Sequence, residues 1–406
     1  MLGSIKLFVH PRVLSMLFLG FSAGVPILLI FSTLGLWLNE AGVAKSSITF
    51  FSWAALGYSF KFVWAPLVDR LPLPILTKLL GRRRAWMLTS QLAIMGAILL
   101  MSSVDPQAGL DSLELMAIGA VLLGFSSATQ DIVIDAYRIE SANKDMQSML
   151  SATYIAGYRI GMLAAGAGGL FLASYFGSTK ALYSVEAWST TYLMMALVMM
   201  VGVITTLVIK EPDSSNRSID YTTLDYARFF ALFLSIVAAF ITTFIVSADL
   251  VKTLKPVLAD FFANKHLSGF LIGTLRMMLA MTGAYVAARL LITLNVVNRA
   301  MVDDTYIAPV KDFFNRYGLS VAILLLSVIG LYRVSDIVLG VVANIFYQDM
   351  GFTKVEIATV SKTFGLFMTI AGGFLGGVMA IRFGVFRVLF LGALLSALTN
   401  LLFVIL

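Results

Sequence analysis

A hydrophobic helix predicted over residues 124–140 carries two carboxylates and an arginine on one stripe. The segment reads GFSSATQDIVIDAYRIE. Positions three, four and seven apart share a face of an α-helix, so Asp131, Asp135 and Arg138 point the same way. An ionised carboxylate inside a bilayer costs on the order of a few kcal/mol, so such groups face a bundle interior or a watery cavity. The stretch is typical of the polar spine of a transporter.

Two roles are open to these acids. A group that couples transport to a proton gradient has to gain and lose a proton, and burial and a nearby cation act on that equilibrium in opposite directions. Lys61 and Arg159 are the cations expected to flank Asp131 and Asp135, so either aspartate is a candidate coupling site. Alternatively, the acids only neutralise Lys61, Arg138 or Arg159, because buried charges need partners.

The composition of the chain is that of a membrane protein. Of its 406 residues, 59% are hydrophobic and 13% are charged, against roughly 45–50% and about 25% in soluble domains. The net charge of +7 does not indicate nucleic-acid binding, because the basic residues lie in short loops between apolar segments. With no cysteine, two histidines and no GxxxxGKS/T motif, we expect no metal site, no cofactor and no ATP-driven transport. No combination of nucleophile, base and metal appears, so an enzyme is not expected.

The predicted fold is an all-α polytopic membrane protein with about eleven transmembrane helices. Apolar windows long enough to span a bilayer lie near residues 13–38, 48–66, 85–103, 114–137, 148–174, 188–209, 228–248, 267–297, 318–346, 355–381 and 387–406. Basic residues concentrate in alternate loops, which by the positive-inside rule predicts a cytoplasmic N-terminus.

The windows fall into three groups. Residues 1–211 form a six-helix block, 212–317 a cytoplasmic linker with two inserted transmembrane helices, and 318–406 the first three helices of a second block. Residues 42–48 parallel residues 351–357, which indicates two pseudo-symmetric halves with a substrate site between them. By that symmetry the second block is expected to be incomplete, lacking about three helices.

The loop after the second predicted helix carries an acid and a cluster of bases. With one arginine from the spine, the gating candidates are Asp69, Arg70, Arg82, Arg83, Arg84 and Arg138. An acid and a basic cluster at neighbouring helix ends can latch them, and the latch has to part when an inner gate opens. The alternative is that the arginines are only positive-inside anchors.

Glycines recur at small-residue spacing in two predicted helices. They are Gly157, Gly161, Gly166, Gly168, Gly169, Gly372, Gly373, Gly376 and Gly377. This spacing lets membrane helices approach closely, so packing is the expected role.

Five motifs, in order along the chain, carry a family resemblance. They are KFVWAPLVDR at 61–70, GRRRAW at 81–86, SATQDIVIDAYR at 127–138, GYRIGM at 157–162 and DMGFTK at 349–354. Together they resemble the AmpG muropeptide permeases of the major facilitator superfamily, and more distantly the eukaryotic acetyl-CoA transporters. The resemblance implies proton-coupled import of anhydromuropeptides (GlcNAc-anhydroMurNAc peptides) from periplasm to cytoplasm for peptidoglycan recycling, by a monomer in the bacterial inner membrane.

Such a substrate carries carboxylates, amides and sugar rings. Lys61 and Arg159 are candidates to hold a carboxylate, Arg through two parallel hydrogen bonds. Tyr158, like Tyr154 one turn earlier, can stack on a sugar or line a helix interface, and Gln130 can bond the substrate or a neighbouring helix.

In the second block, Arg333 and Asp336 lie three residues apart on a predicted helix. They either complete the substrate cavity or pair with each other. Two other functions stay open for the whole chain. One is a superfamily transporter of another anionic solute, such as a peptide, a sugar acid or an acetyl-CoA-like thioester, and the other is a truncated member that does not transport.

Overall fold

The computed structural model describes residues 10–43, 51, 55–179, 182–212, 221–249, 253–254, 256–258, 265–350 and 364–405. Its principal helices are α1 (Pro11–Glu40), α2 (Ala55–Arg70), α3 (Arg82–Ser102), α4 (Leu110–Ser141), α5 (Lys144–Leu163, continuing to Tyr175), α6 (Val185–Val208), α7 (Thr223–Val246), α8 (Lys265–Thr293), α9 (Ala308–Asp349), α10 (Gly365–Phe383) and α11 (Val385–Ile405). Each predicted apolar window overlaps one of these helices, which confirms the all-α fold. Among the described residues, seven helices are long and apolar enough to cross a membrane, namely α1 and α3 to α8.

The chain forms two compact units. One comprises Met1–Ser215 with Leu324–Leu406, and the other comprises Asn216–Ile323. The division between the six-helix block, the inserted pair and the second block is not tested by this and stays a prediction. The parallel segments at 42–48 and 351–357 lie largely outside the described residues.

Glycines let α1 and α5 touch through their backbones. A Cβ built onto Gly20 or Gly24 of α1 would lie 2.2 or 2.0 Å from a carbonyl oxygen of α5. The contact is reciprocal, because a Cβ on Gly157 or Gly161 of α5 would lie 2.0 or 2.1 Å from a carbonyl oxygen of α1. A larger residue at any of the four positions has to push the helices apart, so the packing role predicted for Gly157 and Gly161 is confirmed.

The glycines of α10 differ from those of α5. A Cβ on Gly377 would lie 3.1 Å from the Cβ of Ala152 on α5. Within the described structure, a Cβ on Gly372, Gly373 or Gly376 would meet no atom within 4 Å. Of this group, only Gly377 therefore shows the expected close packing.

Helices α1 and α5 also widen into π-turns that lie side by side. The turns are Leu29–Thr33 in α1 and Ala164–Gly168 in α5. The hydroxyl of Thr33 donates to the carbonyl of Ala165 at 3.1 Å, and Tyr192 of α6 donates to the carbonyl of Leu29 at 2.9 Å. Since a π-turn interrupts the regular helical hydrogen-bond ladder, these two hydroxyls satisfy carbonyls at the interruption.

An aromatic core closes one end of the first six helices. Trp37 of α1 and Trp188 of α6 stack with ring centroids 5.8 Å apart, and Tyr192 lies 4.8 Å from Trp37. All three rings are buried among aliphatic side chains of α1, α3, α4 and α6. Rigid rings of this size bury a large apolar area and fix the relative height of the helices.

In the second unit, Arg276 of α8 fastens α7. Its Nε and Nη2 donate to the carbonyl of Phe244 at 3.0 and 2.7 Å, and the guanidinium lies 3.8 Å from the centroid of the Phe244 ring. Phe244 lies in the last turn of α7, where a cation complements the free carbonyls of the helix end. At the other end of α7, Thr222 and Asp225 form a capping box.

Candidate functional site

Helix α4 sends consecutive polar side chains to different neighbouring helices. Three neutral contacts join it to α1 and α2: Tyr58 OH to Ser127 Oγ at 2.8 Å, Trp64 Nε1 to Thr129 Oγ1 at 3.1 Å, and Gln130 Nε2 to Ser22 Oγ at 2.6 Å. Further along, the hydroxyl of Tyr137 donates to the carbonyl of Lys210, just beyond α6, at 3.0 Å. Because polar groups buried in an apolar bundle need partners, these contacts set how the helices are arranged around α4.

Asp131 is the point where α2, α4 and α5 meet. Its Oδ2 lies 3.7 Å from Nζ of Lys61 on α2, and its Oδ1 accepts from the hydroxyl of Tyr154 on α5 at 3.4 Å. The Asp131 side chain is 10% exposed, whereas that of Lys61 is 38% exposed. The buried carboxylate of Asp131 is thus paired with a lysine whose side chain is partly exposed.

Asp135 lies in a different environment although it follows Asp131 by one turn. Its Oδ1 is 3.2 Å from Nη2 of Arg138, and its side chain is 48% exposed. Arg138 is also 3.5 Å from Oε1 of Gln147, at the start of α5. The predicted stripe is present, but only Asp131 lies in the interior of the bundle.

The structure does not bring Arg159 to the aspartates. Within the described residues, no carboxylate oxygen lies within 4.0 Å of its guanidinium, and its Nη1 is 3.8 Å from the sulfur of Met162. Tyr154 and Tyr158 are four residues apart and share a face, with ring centroids 6.0 Å apart. Arg159 points about 100° away from Tyr158 and about 140° away from Tyr154 around the helix axis. The expectation that Arg159 flanks Asp131 and Asp135 was therefore wrong.

Arg83 joins three helices at the end of the bundle that carries the gating candidates. Its Nη1 lies 2.5 Å from Oδ1 of Asp69, and its Nε and Nη2 donate to the two carboxylate oxygens of Glu140 at 2.9 and 2.5 Å. The Arg83 side chain is only 6% exposed, while Nη2 of Arg82 is 4.0 Å from Glu140. A buried, bidentate arginine of this kind is a strong and directional contact.

Glu211, just beyond α6, caps the start of α3, and Arg84 of α3 caps the end of α6. The carboxylate of Glu211 accepts from the backbone N–H groups of Arg83 and Arg84 at 2.7 and 3.0 Å. In return, Arg84 donates to the carbonyls of Thr206 and Leu207 at 2.9 and 2.8 Å. An anion thus lies at the start of α3 and a cation at the end of α6, as the two helix dipoles favour.

At the opposite end, a second network surrounds Tyr183 in the loop before α6. Trp37 donates to the Tyr183 hydroxyl at 3.2 Å, and that hydroxyl donates to Oδ1 of Asp105 at 3.1 Å. Burial, with the nearby Asp105 carboxylate, raises the pKa of Tyr183 to about 12 despite the hydrogen bond from Trp37. Nearby, Glu40 accepts from Trp188 at 2.9 Å, so both ends of the six helices are fastened by polar contacts.

The sequence profile of the Major Facilitator Superfamily matches residues 13–302. The chain is also 30% identical over 399 residues to a protein of Rickettsia conorii named putative transporter AmpG 4, an alignment that covers 98% of this chain and 75% of that protein. The chain belongs to the AmpG-type permeases of the Major Facilitator Superfamily. It is 27% identical over 397 residues to the anhydromuropeptide permease of Escherichia coli K12, covering 98% of this chain and 61% of that relative.

Among the residues predicted to bind substrate, this AmpG-type permease places two on helices that meet at Asp131 and buries a third. Lys61 and Tyr158 lie on helices that meet at Asp131, whereas Gln130 is fully buried and bonded to Ser22 of α1. Of the two roles expected for Gln130, this contact is the one with a neighbouring helix. Direct contact of any of them with substrate stays a prediction.

Three other predicted residues are located by their helices. Arg70 is the last residue of α2. Arg333 and Asp336 lie on α9, in the part whose side chains are outside the described residues. Their expected pairing or cavity role therefore stays a prediction.

Sequence reasoning missed the acids that hold the basic cluster. Arg83 and its partner Glu140 are 57 positions apart, and Glu211 is 128 positions from Arg83. No local spacing links residues so far apart. The available signal was that Glu140 and Glu211 each follow a predicted transmembrane segment, on the same side of the membrane as the predicted basic loop.

Proposed function

We propose that this AmpG-type permease is a proton-coupled secondary transporter that imports anhydromuropeptides from the periplasm into the cytoplasm. In this proposal it lies in a bacterial inner membrane with its N-terminus in the cytoplasm. The observation that carries the coupling is the buried carboxylate of Asp131, held by Lys61 and Tyr154 from two other helices. The substrate class is supported by the name of the Escherichia coli relative.

The contact between Lys61 and Asp131 supplies a way to bind proton and substrate together. At 3.7 Å the ion pair is loose, and the Lys61 side chain keeps an exposed side. A proton on Asp131 removes the charge that holds the ammonium group, so Lys61 becomes free to bind a carboxylate of the stem peptide. Loss of the proton restores the pair and releases the substrate, so each conformational cycle carries both species.

The two aspartates have different roles in this scheme. Asp131 takes the proton, because it is buried and contacts the substrate-binding cation. Asp135 is half-exposed and paired with Arg138, so its charge is balanced within the same helix. We therefore expect Asp131→Asn to abolish coupling and Asp135→Asn to reduce transport less.

The experiment is uptake of radiolabelled anhydromuropeptide by cells that lack their own permease and express this chain, with and without a protonophore. Accumulation that the protonophore abolishes is the expected result. Asp131→Asn mimics the protonated acid, so it should lose accumulation but keep exchange of labelled for unlabelled substrate across vesicles. Glu186→Gln, the same acid-to-amide change at an exposed position in the first turn of α6, is the matched control and should behave as the parent chain.

Two results would count against the proposal. Accumulation by Asp131→Asn at the level of the parent chain, with equal membrane insertion, would remove Asp131 from the coupling step. Absence of muropeptide uptake by the inserted parent chain would refute the substrate assignment. A panel of stem peptide, sugar acid and acetyl-CoA would then test the other anionic solutes.

A further inference from the structure

An aromatic pair lies beside the Lys61–Asp131 contact and takes no part in the scheme above. The rings of Phe31 on α1 and Tyr58 on α2 have centroids 6.5 Å apart and planes inclined at 51°. Phe31 is 40% exposed. The exposed ring of Phe31 thus lies against the partly buried ring of Tyr58.

Phe31 lies in the π-turn of α1. Among the described side chains of this turn, Leu29, Ile30 and Thr33 are buried, and Phe31 alone is exposed. A π-turn adds a residue to the helical repeat and so turns one side chain away from the face its neighbours occupy. Such single-turn insertions occur frequently at functional sites.

Tyr58 is held in a fixed orientation. Its hydroxyl donates to Ser127 Oγ of α4 at 2.8 Å, so the polar atom of the ring is already satisfied and only the apolar face is left for a ligand. Ser127 is fully buried, which keeps this anchor away from solvent. On α4, Ser127 precedes Asp131 by one turn, just as Tyr58 precedes Lys61 on α2.

The site therefore has an aromatic level, formed by Phe31 and Tyr58, and a charged level, formed by Lys61 and Asp131. Tyr58 and Lys61 are three positions apart, a rise of about 4.5 Å along the helix. A pyranose ring has an apolar face of C–H groups, and in a muropeptide the flexible stem peptide links that ring to the free carboxylates. A ligand that joins a sugar ring to a carboxylate would contact both levels at once.

We propose that Phe31 and Tyr58 form a subsite for the sugar ring of an N-acetylated amino sugar, next to the carboxylate site at Lys61. This inference rests on the proposed muropeptide substrate and assigns its two chemical parts to different residues. The aromatic level binds the apolar face of the ring, and the charged level binds the acid. A purely apolar ligand would not use the charge of Lys61, and a purely anionic one would leave the Phe31 ring uncovered.

The test measures Kd by calorimetry with the purified full chain in lipid nanodiscs. Three probes are used: the whole anhydromuropeptide, its peptide-free disaccharide, and the free stem peptide. Phe31→Leu keeps an apolar side chain but removes the flat ring, and should weaken binding of the first two probes by about tenfold. Binding of the stem peptide should be unchanged.

Further variants separate recognition from folding. Phe31→Trp keeps a flat ring and should retain affinity for the disaccharide. Tyr58→Phe loses only the anchor to Ser127 and should weaken disaccharide binding less than Phe31→Leu does. Phe62→Leu makes the same substitution at an exposed phenylalanine of α2 and should bind all three probes as the parent chain does.

Each contrary outcome has a distinct meaning. Unchanged disaccharide affinity in Phe31→Leu would overturn the subsite while leaving the proposed substrate intact. Equal weakening for all three probes would also overturn it, because a distorted fold and not sugar recognition would be the cause. Failure of the parent chain to bind any muropeptide probe would refute the proposed function, and the subsite with it.

Discussion

Replacing one glycine of α1 by alanine should have opposite effects at two positions of the same helix. At Gly24 a Cβ would lie 2.0 Å from the carbonyl oxygen of Tyr158, whereas at Gly35 it would meet no atom within 4 Å. Alanine is the better helix former, by up to about 1 kcal/mol. Gly35→Ala is therefore expected to stabilise the protein and Gly24→Ala to destabilise it.

The magnitude follows from the width of the gap. Ordinary contact begins near 3.4 Å, so a Cβ at Gly24 falls about 1.4 Å short of the room it needs. The obstacle is backbone, which cannot rotate away, so α1 and α5 have to separate. Overpacking of this kind typically costs about 1–3 kcal/mol, and a gap of 0.5–1 Å forfeits about a quarter to a half of the dispersion energy at the interface. Because the clash is with backbone, we take the upper end of that range, about 3 kcal/mol, and subtracting the gain of about 1 kcal/mol in helix propensity leaves a net loss of about 2 kcal/mol for Gly24→Ala.

Thermal unfolding in detergent, followed by intrinsic tryptophan fluorescence, is the assay. Trp37 and Trp188 are buried and stacked where α1 meets α6, so they report on this unit, and the absence of cysteine excludes thiol-reactive dyes. A loss of about 2 kcal/mol lowers Tm by about 4–8 °C in a unit of this size. Gly35→Ala should raise Tm or leave it unchanged.

The double variant Gly24→Ala/Gly161→Ala sharpens the test. A Cβ on Gly161 would lie 3.2 Å from the Cα of Gly24, so both substitutions open the same gap. Once the gap is open the second change costs little, and the two losses should not add. If Gly24→Ala were as stable as Gly35→Ala, or if the two losses were additive, the backbone contact between α1 and α5 would not be the feature that limits stability.

Three further changes test the two ends of the bundle. Arg83→Ala should lower stability by about 3 kcal/mol, because it leaves two carboxylates without their buried partner; Arg82→Ala is the control, and equal melting temperatures would contradict the contact. Glu211→Ala should cost about 1 kcal/mol as a lost helix cap, recovered in part by Glu211→Gln, which keeps an acceptor for the same N–H groups; identical melting of Gln and Ala variants would refute the cap. The pKa of Tyr183 is raised to about 12, against an ordinary value of about 10, so the folded state holds the phenol proton more tightly than the unfolded state does. The stability that Tyr183 contributes is therefore complete below about pH 10 and is lost as the pH rises toward 12. Unfolding scans between pH 9 and 11 should show this decline relative to Tyr183→Phe, and parallel curves would contradict it.

The sequence predicted well what depends on periodicity within one segment. Apolar windows located the helices because a membrane span has to be long and apolar. The helical repeat placed Asp131, Asp135 and Arg138 on one stripe, and the structure shows Asp135 and Arg138 in contact. Both features follow from residues a few positions apart.

The parts that depend on contacts between distant segments were beyond that reasoning. Arg159 was expected beside the aspartates because it is a cation in a neighbouring helix, but only the packing of α5 determines that the Tyr154 face, and not the Arg159 face, meets Asp131. The π-turn at Leu29–Thr33 leaves no pattern in the sequence, and the exposure of Phe31 within it was not anticipated. Glu140 as the partner of Arg83 was missed for the same reason of distance along the chain.

The backbone contact between α1 and α5 also has a consequence for how the protein is made. Thr33 and its partner Ala165 are separated by 132 positions, so α5 leaves the ribosome well after α1. At about 5–20 residues per second, the delay is roughly 7–26 s. During that time the glycine face of α1 lies against lipid or an insertion partner, with its closest fitting surface not yet synthesised. Helix α1 therefore reaches its final packing only after α5 has been made, and the yield of folded protein should depend on how well α1 is protected until then.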